Sequence, residues 1–393
     1  MSLTSKSPER VAREALAVAT TALPRYPHKF SPKIYTQPQL FACLVLKTFF
    51  NTDYRGIAQL LADLPELVRT LGLETVPHFT TLHKAARRLL RLPLVHRLLT
   101  VTIRRVRPRR RRVALAAMDS TGFECRHISA YYVRRRSRER SLWQTTTYTR
   151  FSKLEAVVDC ARHLVIGAIP RRGPRVDVDR FVPLLNSTLQ RVHIGTILAD
   201  AGYDSEPNHR HARERWGIRS VIPATAGRPT DKLPTGRYRR LMKRRLTKTY
   251  CHYGQRWQVE TVFSMLKRRL GSAISGRSYW SQCRDLLLRV LTHNVMIRYL
   301  EVFYRAVLSA FAILDDRLIC SVRQDVRFLF CKITSRPRVI LNLTQTSYAS
   351  IDITMLLAPC RILIRSSKRV RPGKTVLDGP ARVRVLWQYE RSL

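Results

Sequence analysis

The order in which apolar and polar segments alternate between residues 113 and 270 most narrows what this chain can fold into. Val113-Ala-Leu-Ala-Ala-Met118 is a continuous apolar run of strand length that stops at Asp119-Ser-Thr-Gly122, a turn-like sequence. Leu154–Cys160 and His163–Ile169 read as a hairpin, and Val178, Phe181, Val182, Leu185 and Leu189 then repeat at helical spacing. Ile194–Ala199 reads as a strand, Asp204–Trp216 as a helix and Ile218–Ile222 as a strand. After a basic insertion, a long amphipathic helix carries Val259, Val262, Phe263, Leu266 and Leu270 on one stripe.

Three hairpin-connected strands followed by alternating helices and strands is the ribonuclease-H-like order. The expected fold is therefore α/β, a mixed five-stranded sheet with flanking helices, over residues 111–304. Residues 1–110 read instead as a small all-α domain, with apolar repeats in Gln39–Lys47 and in Ile57–Leu64, the second ending at Pro65. Pro77–Leu89 reads as a helix capped by Thr80 or Thr81, with Lys84, Arg87 and Arg88 beyond the cap as candidate DNA contacts. Two short helices before a basic third resemble a helix-turn-helix, and a plain helical bundle explains the pattern equally well. Between the two regions, Arg104–Arg112 is all arginine apart from Val106 and Pro108, a boundary or a phosphate-contacting strap.

Charge decides the class of partner. With 72 Lys plus Arg against 27 Asp plus Glu, the formal charge is +45, far beyond what solubility needs, and it points to a polyanion, nucleic acid first. Binding of that kind falls steeply with salt. The apolar runs Phe41–Leu46 and Ala306–Leu314 are too short to span a bilayer, and MSLTSKSPER lacks the apolar segment of a secretory signal, so no membrane partner is expected and the chain reads as cytoplasmic and nucleoid-associated. The eight cysteines are scattered singly, which favours reduced thiols over disulfides or structural zinc.

Against that basic background the acids stand out. On a helix turning about 100° per residue, Tyr253, Arg256, Glu260 and Lys267 fall within a stripe roughly 60° wide, a carboxylate flanked by cations. Asp119 closes the first predicted strand and Asp200 the fourth, and in the proposed sheet these strands are neighbours, about 5 Å apart. Glu260 can reach the same point from its helix. Three converging carboxylates suit hard divalent cations, Mg2+ or Mn2+, and two ions about 4 Å apart support in-line phosphodiester displacement. Asp159 on an interior strand, Asp177 and Asp179 near a helix start, and Asp204 as a cap of the next helix are read as structural. Trp143, Trp257 and Trp280 are read as packing residues rather than base-stacking ones. Arg134, Arg135 and Arg136, in a loop near the Asp119 end, and Arg239 and Arg240, in the insertion, are expected to meet DNA phosphates.

The runs Ala117-Met-Asp119-Ser-Thr-Gly and Ala199-Asp200-Ala-Gly-Tyr-Asp-Ser, with Tyr253-x2-Arg256-x3-Glu260-x6-Lys267, resemble the DDE transposases of bacterial insertion sequences. Tyr54-Arg-Gly-Ile and Pro77-His-Phe-Thr-Thr-Leu resemble the helical N-terminal region of such elements, so the likeness covers roughly residues 30 to 300. The resemblance implies a metal-dependent enzyme acting as a dimer on double-stranded DNA, pairing inverted repeats, nicking the ends and joining the freed 3′-hydroxyls to target DNA. It also implies that Asp119, Asp200 and Glu260 are the catalytic, metal-binding triad, with two ions per active site, and that Tyr253, Arg256 and Lys267 contact transposon-end phosphates. Without it, Arg256 and Glu260 would read as a helix salt bridge at i, i+4. An inactive DNA-binding descendant and a ribonuclease-H-like nuclease are the alternatives. Residues 305–393 lie beyond the resemblance, and read either as an added DNA-binding piece or as a read-through tail, poorly ordered, with Val339–Leu343 a possible strand.

Overall fold

The computed structural model describes residues 4–106, 112–125, 151–173, 176–224, 233–246 and 253–311, with further strand segments at 339–343, 353–357, 360–364 and 385–387. Residues 3–305 make one compact unit and residues 306–393 a second.

Six helices lead the first unit: α1 (Pro8–Ala22), α2 (Gln37–Phe49), α3 (Tyr54–Asp63), α4 (Pro65–Leu71), α5 (Phe79–Leu89) and α6 (Leu92–Val106). Local chemistry sets their ends. Ser7 caps α1 by accepting from the Arg10 amide, Thr36 and Gln39 form a capping box on α2, and Pro65 stops α3 and opens α4. Leu40 to Leu46 of α2 are all buried, so α2 is apolar all round and forms the centre of the helical layer. Helix α5 begins earlier than its threonines suggest, at Phe79 with His78 in the cap position and no side-chain cap bond. Thr80 instead shares a hydrogen bond with His78 Nδ1, at 2.8 Å. Lys84 and Arg87 are exposed on α5 and Arg88 is half-buried. Of the arginine-rich linker, Arg105 pairs with Glu14 at 3.3 Å, and residues 107–111 lie outside the described residues.

The sheet follows the expected order. Strands β1 (Arg112–Cys125), β2 (Ser152–Asp159), β3 (Leu164–Arg172), β4 (His193–Ala199) and β5 (Arg219–Val221) line up as β3-β2-β1-β4-β5, and β6 (Ala273–Ile274) pairs with the far end of β1. β1, β2 and β3 are antiparallel neighbours, whereas β4 and β5 join in parallel. One correction matters for the site: β1 does not turn at Asp119-Ser-Thr-Gly122. It runs on through these residues because β2 pairs with them from Asp119↔Ala156 to Phe123↔Ser152. Gly122 suits this stretch because a Cβ there would meet the Phe151 ring at 2.9 Å.

Helices α7 (Phe181–Leu189), α8 (Glu206–Arg210), α9 (Arg237–Arg245), α10 (Trp257–Leu270) and α11 (Tyr279–Phe311) complete the described part of the α/β core. The helix expected over 204–216 starts as α8 and loosens into a π-helical turn over His211–Arg215. The outer edge of β3 is closed by an unusual residue. Asn294, fully buried on α11, accepts from the Val165 amide at 3.0 Å, and donates to the Val165 carbonyl at 2.8 Å and to Thr102 of α6 at 3.2 Å. Its amide thus imitates the missing next strand and ties sheet edge, α6 and α11 together. Among the described residues no helix is long and apolar enough to cross a membrane. Cys43, Cys125, Cys160 and Cys283 are unpaired thiols. In the second unit, β7 (Val339–Leu343), β8 (Ile353–Leu357), β9 (Cys360–Ile364) and β10 (Val385–Trp387) form an antiparallel sheet in the order β10-β9-β8-β7.

Candidate active site

Parallel pairing of β1 with β4 ends at the register pair Met118↔Ala199, and the next residue on each strand is an aspartate, Asp119 and Asp200. Their backbones therefore arrive at one point of the sheet. β1 continues past it, while the chain after β4 turns away in a 3-10 turn over Ala201–Tyr203 that Asp200 caps by accepting from the Gly202 amide at 3.0 Å. A side chain at Gly202 would crowd that carboxylate, its Cβ falling 3.1 Å from Asp200 Oδ1. Asp119 is held in the same way, with Oδ1 accepting from the Ser120 amide at 2.7 Å.

The third acid comes from α10. The predicted helical face is divided, because Tyr253–Arg256 form a 3-10 turn and the α-helix begins at Trp257. A 3-10 turn eclipses residues three apart, so Tyr253 and Arg256 stay on one side. The apolar stripe Val259, Val262, Phe263, Leu266 and Leu270 is buried as expected, leaving Glu260 more than half exposed beside the sheet. Arg256 joins the two elements: Nη1 donates to Asp119 Oδ2 at 3.0 Å and Nη2 to Glu260 Oε1 at 2.6 Å. The i, i+4 salt bridge is present, then, and the same guanidinium also reaches the strand acid. Asp119, Glu260 and Lys267 line one groove with Thr121, Phe263, Ser264 and Arg268. Lys267 rests over the Phe123 ring, 5.4 Å from its centre.

Burial raises the Asp119 carboxyl to about 6, with Asp200 and Glu260 adding to the rise and the Ser120 amide and Arg256 opposing it. Among the described residues, no group of three or more His, Cys, Asp or Glu is gathered to hold a metal ion. The Arg256 guanidinium lies between Asp119 and Glu260. The donor set fits a hard divalent ion, since its acids are oxygen donors and already hold one cation between them.

A stability test follows from the Asp119 shift. Its folded pKa lies above its ordinary value of 3.8, so the group's contribution to stability is present at low pH and is lost as pH rises through about 6. Asp119→Asn should therefore stabilise the metal-free protein at pH 8, on the order of 2 kcal/mol, and should show no advantage below pH 4. Denaturant melts at the two pH values check this; an equal gain at both would assign the effect to packing.

The stretch from residue 114 to residue 295, which contains all these groups, matches the family described as transposase DDE domain. Residues 114–295 are a transposase DDE domain. No curated protein matches this chain.

Other predicted contacts to the DDE domain's substrate fare unevenly. Arg239 is corrected: its guanidinium forks onto Asp204, at 2.7 to 3.0 Å, and that carboxylate is fully buried. The cap position of α8 falls on Ser205 rather than on Asp204, and Glu206 caps α9 by accepting from the Tyr238 and Arg239 amides. Arg240, next along α9, is exposed. Trp257 and Trp280, read as packing residues, are 53% and 67% exposed. Arg134, Arg135, Arg136 and Trp143 lie outside the described residues. Asp177, read as a helix-start acid, makes no cap bond and instead binds Ser120 and Lys153. Its sequence neighbourhood carries no signal of that role, which depends on a contact 57 residues away.

Proposed function

We propose that this chain is a transposase that cleaves DNA at insertion-sequence ends and joins the freed strands to target DNA, with Asp119, Asp200 and Glu260 as its metal-holding acids. The observation that carries the reading is the arrival of Asp119 and Asp200 at one register point, with Glu260 tied to Asp119 through a single guanidinium. When bound there, Mg2+ or Mn2+ would supply Lewis-acid polarisation of the scissile phosphate and a more acidic attacking water or hydroxyl. Asp119 and Asp200 each keep one oxygen on a backbone amide, which limits carboxylate rotation and aims the other oxygen outward. Arg256 holds Asp119 and Glu260 together, and its planar fork would suit a phosphate of the DNA end, beside Tyr253 and Lys267.

The large positive charge supports a duplex laid across the basic surface, with the N-terminal helices, residues 1–110, and the exposed Lys84 and Arg87 contributing to end binding. Pairing two ends calls for a homodimer on DNA. The test is incubation of the full chain with duplexes carrying the element's end and with target plasmid, in Mg2+ or Mn2+ and in chelator. Joined products support transposition, cleavage without joining supports the nuclease reading, and salt-sensitive binding with neither reaction would overturn the enzyme reading.

A further inference from the structure

Successive residues of a strand face opposite sides of the sheet, so Asp119 meets α10 while Ser120 points behind the sheet. There Ser120 Oγ donates to Asp177 Oδ2 at 2.9 Å, and Lys153, on the neighbouring strand, forms an ion pair with Asp177 Oδ1. Both charged side chains of this pair are largely buried, at 12% and 19% exposure. The segment around Asp177 is held from two further directions. Arg171 donates to the Val176 carbonyl at 3.2 Å. Asn208, buried, donates through one amide nitrogen both to the Val178 carbonyl and to the Tyr203 carbonyl, each at 3.0 Å. Tyr203 closes the turn that begins at Asp200, its amide donating to the Asp200 carbonyl at 3.2 Å.

One segment therefore touches the residue after Asp119 and the turn after Asp200. We propose that Asp177 is a positioning residue, which fixes the two strand-end aspartates relative to each other from behind the sheet. Holding Ser120 Oγ stops the 119–120 peptide from rocking, and the amide of that peptide is what orients Asp119 Oδ1. Asn208 carries the same constraint to the Asp200 turn. Lys153 holds Asp177 in place through their ion pair, so the segment is anchored to β2 as well as to β1. A helix cap would do none of this, and Asp177 makes no cap bond.

The proposal rests on the assignment of Asp119 and Asp200 as metal ligands, and its test separates the two. Mn2+ binding to the full chain is read from the electron paramagnetic resonance of the free ion, alongside a metal-free melt of each variant. Partners that orient metal ligands are worth about 10- to 100-fold in affinity, so Asp177→Ala should raise the half-saturating Mn2+ concentration by that factor. Ser120→Ala, which deletes one hydroxyl, should move it severalfold in the same direction. Asp177→Asn should recover part of the loss, because its carbonyl still accepts from Ser120. Wild-type affinity in folded Asp177→Ala and Ser120→Ala, with binding lost in Asp119→Asn, would overturn the clamp and leave the ligands standing. Should Asp177→Ala fail to fold, Ser120→Ala alone decides. Undiminished binding in Asp119→Asn would instead overturn the ligand assignment, and the clamp with it.

Discussion

Glu260→Gln should slow strand cleavage and joining by on the order of 1000-fold or more, while leaving binding of end DNA in place. The change conserves shape and removes one anionic oxygen ligand; the loss of several kcal/mol of charge stabilisation corresponds to about that factor. Because the Glu260 side chain is 55% exposed and its helix is anchored by Val259, Val262, Phe263 and Leu266 on the adjacent stripe, the fold should be unaffected. Removing a negative charge beside the expected phosphates should, if anything, tighten the DNA complex. Single-turnover cleavage of a labelled end duplex measures the rate, and fluorescence anisotropy measures the binding. Equal cleavage by wild type and variant would show that the triad is assigned wrongly.

Arg171→Ala should be the most destabilising of the changes considered, by about 3–5 kcal/mol at pH 8, because it strands a carboxylate at the centre of the sheet. Glu155 is fully buried on β2, and its Oε1 accepts from Arg171 Nη1 at 2.8 Å. Burial already raises the Glu155 carboxyl, and Arg171 is what holds it down. Without the arginine the folded pKa climbs further above the unfolded one, so the penalty is full at high pH and shrinks as pH falls and Glu155 takes up a proton. Urea unfolding at pH 8 and pH 5 reads both the size and the trend. A Glu155→Leu, Arg171→Met double variant should regain most of the loss, since apolar replacement of a buried pair is often neutral. A loss independent of pH would mean that lost packing of the arginine stem, rather than the stranded charge, governs the result.

The DDE fold was legible because its signals are local. Apolar runs of strand length, a helical repeat from Val178 to Leu189 and the stripe from Val259 to Leu270 each depend on near neighbours, and the structure keeps them all. What failed was local punctuation with a distant partner. Asp119-Ser-Thr-Gly122 has turn composition, yet β2 recruits it into a ladder. Thr80 has cap chemistry, yet His78 takes its hydroxyl. Asp204 and Asp177 sit where helix caps belong, and each is claimed by a cation far along or across the chain, Arg239 and Lys153.

The sequence by itself determined the order of elements, the positive field that calls for a polyanion, and which face of α10 is buried. These follow from composition and from the fixed periods of helix and strand. Only the tertiary structure decided that Arg256 bridges two acids 141 residues apart, from Asp119 to Glu260, and that Asp177 works behind the sheet rather than at a helix end. The physical reason is register: one step along β1 carries a side chain from the groove to the opposite face, and which loop waits there is set by long-range packing that no local pattern encodes.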